Sequence, residues 1–523
     1  MVGCSQGESR VEEGNRLGIL HIGAGTDIRS LDPHVATDSN SGLVIASLHE
    51  GLVTLNPYDL SIEPGLAESW EVSEDGKIYR FHIRDNAKWS DGTAVTIDDI
   101  YWTFQRYLNP KMGNPWAFML FPVVNAEEYL KGNISNFSEV GFNVVDQNTF
   151  EIYLSEAAPY FMQLLAHQSS AVVSRKAIEE HGEVTSRFSQ WTRAGNMISN
   201  GPFYLERWDV FQPLIVKKNP HYWGAEDVSL NGIIFYPIDD EKTEERMYRA
   251  GLLHKTYQLP ESKIPFYQRE APEGLVVEPY LGTYFYSFNM HRDRFQDVRV
   301  RKALAMSIDR QAIIDNVLNG INEPAYAMTP PGTIGYYPPK TFEYNPERAR
   351  ELLAEAGYPN GEGFGEFELI YNTLDAHRKI AVAVQQMWKE TLNIDVTLAN
   401  QEWKVYLDTQ DNFDFDITRA SWIGDYVDPM TFLSLGMSTN GSNTAGFSDP
   451  EYDRLLQEYV PSASTSEERL ERFYEAEAYL MERMPYIPIY TYMQRYLIHP
   501  SVEGLPANIR QEFNFRYVRL GEE

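Results

Sequence analysis

A chain of 523 residues exceeds what one hydrophobic core usually serves, so two or more lobes are expected. Its hydrophobic fraction of 43% and aromatic fraction of 13% are ample for packed cores and exclude extensive disorder. The formal net charge of −30 argues against a nucleic-acid partner, because phosphate binding needs a basic face that releases counterions, and reads instead as a strongly solvated surface.

Cys4 is the single cysteine, so an intramolecular disulfide and a thiolate metal cluster are both excluded. Met1, Val2, Gly3 and Cys4 are similar to the end of a bacterial lipobox, whose cysteine receives lipid after signal-peptide cleavage, although no apolar h-region precedes them in this sequence; a chance cysteine is the alternative. Ser5 to Asn15 are polar and charged, which fits a flexible tether. No later stretch reaches the ~20 apolar residues that span a bilayer, so a lipid at Cys4 is the only membrane attachment expected.

Gly23-Ala24-Gly25 lacks the third glycine of a dinucleotide fingerprint and reads as a turn. Trp70 to Arg84 predicts a hairpin, with Asp75-Gly76 turning between two alternating runs. After a second turn at Asp91-Gly92, Thr96 can cap a helix whose apolar residues include Ile100, Phe104 and Leu108, completing a compact α+β unit. Asn345, Pro346 and Gly357 frame another helix as cap, first-turn proline and left-handed stop. From His377 to Leu392 a stripe of Ile380, Val384, Met387 and Trp388 reads as core.

The stretch from Asn400 to Asp428 carries the strongest site signal. Alternation over Phe413, Phe415, Ile417, Arg419 and Ser421 predicts a strand with Arg419 on its apolar, inward face. A buried guanidinium must find an anion, and an internal salt bridge is the simple answer. Trp422 and Asp425 follow within a few positions, so a cation, an aromatic face and an anion lie close together.

Catalytic signatures are absent. The chain contains no Gly-x-Ser-x-Gly elbow, no His-Glu-x-x-His zinc helix and no Walker A loop, and no repeat of 20 to 50 residues marks a solenoid. No cofactor and no metal are expected. A secreted hydrolase with an unrecognised carboxylate pair is the alternative of a different class.

Several separated segments share one resemblance. EPGLAESWEVSEDGKIYRFHIRDNAKWSDGTAVTIDDIYWTFQRYLNP (Glu63 to Pro110) resembles the signature block of the peptide-binding family (family 5) of extracellular solute receptors for ABC importers. So do NGPFYLERW (Asn200 to Trp208), KKNPHYWG (Lys217 to Gly224), FQDVRVRKALAMSIDR (Phe295 to Arg310) and YNPERARELLAEAGYPNG (Tyr344 to Gly361), in the family's own order. NQEWK at Asn400 to Lys404 and the Arg419 to Tyr426 run resemble the oligopeptide-binding branch.

The resemblance implies an α/β fold, a two-lobed periplasmic-binding-protein-like clamp (type II, cluster C) with an additional small α+β domain, enclosing its ligand between the lobes. It maps a tether onto 1–16, lobe I onto 17–50, 179–280 and 493–523, the small domain onto 51–178, and lobe II onto 281–492. The apolar runs Tyr284 to Phe288 and Ile487 to Tyr492 are candidate hinge strands or ordinary sheet core. By match to family positions, Asp425 pairs with a peptide ammonium, and Arg419 and His377 meet the carboxylates of peptides of different lengths. Ser421, Ile423 and Ser39 offer main-chain hydrogen bonds, and Trp403, Trp422, Trp116 and Tyr492 line side-chain pockets. Gln410 stands where relatives carry an arginine, and Thr37 where they carry a glutamate. The expected partners are an oligopeptide and the permease subunits of an importer, with the protein monomeric and periplasmic or extracytoplasmic. Dipeptides, cello-oligosaccharides or metal chelates are the alternative ligands.

Overall fold

The computed structural model describes residues 7–187 and 189–521, so Cys4 lies outside the described residues. The chain divides into two compact units: unit 1 comprises 1–277 and 494–523, and unit 2 comprises 278–493.

Unit 1 opens with a helix, Arg10–Leu17, where the sequence reading expected part of a flexible tether. Two causes order it, one local and one distant. Ser9 and Glu12 form a reciprocal capping box, and Val11 is buried, its N–H donating to the Gly251 carbonyl at 2.9 Å. Strand β1 (Ile19–Gly23) follows, then a short pair, β2 (Val53–Leu55) and β3 (Ile62–Pro64). Four antiparallel strands come next: β4 (Ala67–Val72), β5 (Ile78–Ile83), β6 (Phe142–Val144) and β7 (Thr149–Tyr153), in the order β4-β5-β7-β6. The β4–β5 turn is the expected one, with Gly76 at φ +69° and Asp75 accepting from the Lys77 N–H at 3.2 Å. Thr96 caps helix Ile97–Tyr107, and Asp99 completes its capping box. In the chain's contact pattern residues 51–178 belong to unit 1.

The second sheet of unit 1 has the order β1-β10-β9-β8, built from β8 (Phe203–Arg207), β9 (Leu214–Lys218) and β10 (Gly232–Tyr236). Its core joins Leu20 and Ile22 of β1 to Val216, Ile233 and Phe235, and reaches Phe515 and Val518 near the C-terminus.

The long strands β11 (Leu275–Phe288) and, later, β16 (Tyr486–Leu497) carry the chain across the unit boundary. The division falls at Val277/Glu278 and Met493/Gln494, outside the two runs expected as hinges. Tyr284, Phe285, Tyr286 and Phe288 are buried in the sheet of unit 2. That sheet has the order β12-β16-β11-β15-β13-β14, with β12 (Glu323–Pro324), β13 (Phe367–Asn372), β14 (Val396–Gln401) and β15 (Ile417–Ile423). Helix Pro346–Glu355 is capped by Asn345 and followed by Gly357 at φ +98°, and helix Asp375–Leu392 buries Ile380, Val384 and Trp388. A last pair, β17 (Val502–Glu503) and β18 (Arg519–Leu520), returns to unit 1. Among the described residues no helix is long and apolar enough to cross a membrane.

Candidate functional site

The site signal from Asn400 to Asp428 resolves into β14, a helix (Trp403–Asp411) and β15. Strand β15 begins at Ile417, later than the alternation indicated, because Phe413 takes the left-handed conformation (φ +53°) just beyond the helix. Against β11 it pairs along its whole length, from Ile417 opposite Phe288 to Ile423 opposite Gly282. Against β13 it pairs only at Ile417 and Thr418.

From Arg419 onward, β15 therefore has an open flank with no strand partner among the described residues. The Gly424 N–H donates to the Leu281 carbonyl at 2.8 Å. Antiparallel alternation then directs the main chain of 418, 420 and 422 toward β11, and turns that of Arg419, Ser421 and Ile423 to the open flank. The Arg419 carbonyl is already taken, accepting from Gln410 Nε2 at 3.2 Å and from the Tyr406 hydroxyl. Ser421 and Ile423 are the positions where a further strand could add.

The Arg419 side chain is 7% exposed, inward as the alternation indicated. Its guanidinium lies 4.7 Å over the Tyr284 ring. Nη2 donates to the Tyr492 hydroxyl at 3.1 Å, and Nη1 makes only a long contact, 3.4 Å, with Asn372 Oδ1. Nε is buried with no acceptor among the described residues. Nor does any carboxylate among them form an ion pair with Arg419. Other buried arginines also keep one nitrogen without an acceptor but make fuller contacts: Arg469 holds Asp428 in a bidentate pair at 2.6 and 3.0 Å, and Arg310 donates to three main-chain carbonyls. Among the described residues the internal salt bridge is absent. A desolvated cation without an anion costs several kcal/mol in a folded protein.

His377 is the third residue of helix Asp375–Leu392, whose N-cap is Leu374, so it does not cap the helix. Its ring is buried 5.5 Å from Tyr284. Burial, reinforced by the charge of Arg419, lowers its pKa to about 3, so it is neutral at physiological pH. Its Nδ1 and the hydroxyls of Tyr284 and Tyr286 are also buried without partners among the described residues. Tyr284, Tyr286 and Asn372 were missed by sequence reasoning. Tyr284 and Tyr286 lie within a run read as hinge or sheet core, and Asn372 carries no local signal.

Asp425, half-buried, follows β15 after Gly424. A Cβ on Gly424 would lie 2.7 Å from Leu281 Cδ2 and 2.8 Å from its Cγ, so only glycine lets the chain turn away this close to β11. The Asp425 N–H and Trp422 Nε1 both donate to Thr431 Oγ1, at 3.3 and 3.2 Å. The buried Arg469–Asp428 pair anchors the same loop. Trp403 is 51% exposed and stacks on Tyr406, so it is not a core aromatic. Gln410 is buried and donates to the Tyr406 hydroxyl and Thr418 Oγ1 at 2.8 and 2.9 Å.

Arg419, His377, Trp422, Trp403, Ser421, Ile423, Tyr492 and Asp425 all belong to unit 2, whereas Trp116 and Ser39 belong to unit 1. Trp116 Nε1 donates to the Ala36 carbonyl at 2.8 Å, and its ring is 4.8 Å from His167. Ser39 is exposed at the start of helix Ser39–Leu48 and accepts from the Tyr257 hydroxyl at 3.2 Å; Thr37 is also exposed. No group of three or more His, Cys, Asp and Glu side chains among the described residues is placed to hold a metal.

Residues 61–444 match the model of the bacterial extracellular solute-binding proteins, family 5 (middle). The chain belongs to this family. It is 36% identical to the periplasmic oligopeptide-binding protein of Salmonella typhimurium, over 92% of this chain and 88% of that one. It is 38% identical to the periplasmic murein peptide-binding protein of Escherichia coli, with the same coverage. Among solved structures, the Haemophilus influenzae oligopeptide-binding protein in complex with the peptide RPPGFSPFR superposes with a TM-score of 0.77 at 32% identity, covering 97% of this chain and 99% of that one. Family 5 membership makes this a solute-binding protein rather than an enzyme, with the two-lobed α/β clamp fold of the type II periplasmic binding proteins.

Proposed function

We propose that this family 5 protein captures oligopeptides outside the cytoplasm and delivers them to the permease of an ABC importer. The observation that carries the reading is Arg419, a buried guanidinium without a carboxylate, beside a β15 edge open at Ser421 and Ile423. A peptide supplies what both lack: a main chain that can add to the strand edge, and an α-carboxylate for the guanidinium. Asp425 takes the α-ammonium. Main-chain recognition reads no side-chain sequence, and the exposed Trp403 and half-buried Trp422 offer broad apolar walls to varied residues. The oligopeptide-binding relatives support this reading, and so does the bound peptide of the Haemophilus protein. Lipid attachment at Cys4 and action as a monomer complete the proposal.

Gln410 spends its amide on Tyr406 and Thr418, and the buried Arg419 is the cation we assign to the carboxylate end. From Arg419 to Ile423 the strand rises four residues, about 13 Å, so short peptides should be preferred. Calorimetry with trialanine in free, N-acetylated and C-amidated forms tests the reading. Each block should weaken binding at least tenfold, and Asp425→Asn should abolish the penalty for acetylation. Equal affinity for all three forms would reject peptide-terminus recognition. Mass spectrometry of the recovered peptide should show it intact, as a receptor requires.

A further inference from the structure

Helix Ser466–Arg483 of unit 2 carries, besides its core face, an outward face that the peptide site does not use. Glu477, fully buried on this helix, accepts from the Met328 and Thr329 N–H groups, each at 2.8 Å, and from the Tyr336 hydroxyl at 2.7 Å. It thereby pins both ends of the loop between Met328 and Tyr336 to the helix. The loop keeps Ile334 at φ +45°, a conformation β-branched residues rarely adopt, and leaves it 44% exposed.

Between loop and helix runs a groove of about 410 Å³ lined by Gly335, Tyr336, Tyr337, Glu471, Tyr474 and Glu475. Tyr337 is 70% exposed and Tyr474 49%. Glu471 and Glu475 stand one helical turn apart and are exposed. Glu475 accepts from the Tyr459 hydroxyl at 2.9 Å, and neither carboxylate has a cationic partner among the described residues. Half-buried Glu468, one turn before Glu471 on the same helix, is by contrast paired with Arg472.

We infer that this groove docks a basic segment of the importer's permease, inserting an arginine or lysine side chain between the two tyrosine rings and onto the two carboxylates. The chemistry is complementary throughout. Aromatic faces attract a cation and cover its aliphatic stem, and unpaired carboxylates supply its counter-charge. The pinned loop holds the groove open before the partner arrives, which lowers the ordering cost of association. The inference rests on the importer reading above.

The test is uptake of labelled trialanine into proteoliposomes carrying the permease encoded with this chain, together with the ATPase rate that the binding protein stimulates. The double variants Glu471→Lys/Glu475→Lys and Tyr337→Ala/Tyr474→Ala should each lower uptake and ATPase stimulation at least tenfold, while trialanine affinity stays within twofold of wild type. Raising the salt concentration should weaken stimulation by the wild type more than by Glu471→Gln/Glu475→Gln. Undiminished uptake by the lysine variant overturns the inference, as does a wild-type dimer that the lysine substitutions dissolve, which would give the groove to a second copy. If wild type itself binds no trialanine, the importer reading fails first and is distinguished by that result.

Discussion

The guanidinium of Arg419 lies 4.7 Å over the ring of Tyr284, on the strand paired beside it, and the Tyr284 hydroxyl is itself buried without a partner among the described residues. An aromatic face and one phenol can hold a cation in place without neutralising it.

Arg419→Met separates binding from folding. Replacing a buried, unpaired charge by an apolar side chain of similar length removes its desolvation penalty. The urea midpoint of the variant should hold or rise, whereas affinity for free trialanine should fall at least tenfold and affinity for its C-terminal amide should stay the same. A large loss of stability with unchanged peptide affinity would assign Arg419 a structural role.

Gly424 sets where Asp425 leaves the strand. In Gly424→Ala the new methyl meets Leu281 at 2.7 Å, so either Leu281 or the turn must shift. The expected cost is about 1–3 kcal/mol of stability, as for other overpacked sites. Peptide affinity should fall with it, and N-acetylation should matter less than in wild type.

Asp32 and Arg106 form a buried bidentate pair in unit 1, at 3.1 and 2.6 Å, with His34 Nδ1 2.7 Å from the same guanidinium. Asp32→Ala leaves Arg106 without its counter-charge and should destabilise the protein by about 3–5 kcal/mol. Denaturant unfolding of the variant measures this. A loss below 1 kcal/mol would mean that the Val184 carbonyl, which accepts from Arg106 Nε at 2.8 Å, and His34 suffice.

Acid should destabilise the fold below pH 6.5. Burial lowers the pKa of His34, His167, His254 and His377 to about 3, and that of His21 and His49 to about 4. Their native forms stay neutral while the unfolded chain takes up protons near its ordinary pKa of about 6.5. Their contribution to stability is therefore present above pH 6.5 and lost progressively as pH falls toward 3. Glu244 and Glu477, raised to about 7 by burial, act in the opposite direction between pH 7 and 4.5, and burial also raises Glu50, Glu368 and Glu512, but we expect the six histidines to outweigh these carboxylates. Urea midpoints should fall from pH 7 to pH 5, and a constant or rising midpoint would contradict this assignment.

Much of the local structure was legible because its causes lie within a few residues. The Asp75-Gly76 turn, the Thr96 capping box, and the Asn345 cap with Gly357 beyond it each depend on contiguous side chains and backbone torsions. The N-terminal helix was misread for the complementary reason. Arg10–Leu17 is polar in composition, and its order comes in part from Val11 meeting Gly251, a residue far along the chain.

Sequence by itself determined the family and the inward face of Arg419, because alternation and motif order survive without three-dimensional knowledge; the candidate binding residues follow from the resemblance and are part of the proposal. Only the tertiary structure decided whether Arg419 has a counter-ion. Its neighbours Asn372 and Tyr492 come from 47 and 73 residues away, and no local pattern announces that neither they nor any other described side chain supplies a carboxylate. Tertiary structure likewise decided that β13 stops pairing at Thr418, leaving Ser421 and Ile423 on an open edge, because a strand's partners are set by distant chain and not by its own alternation.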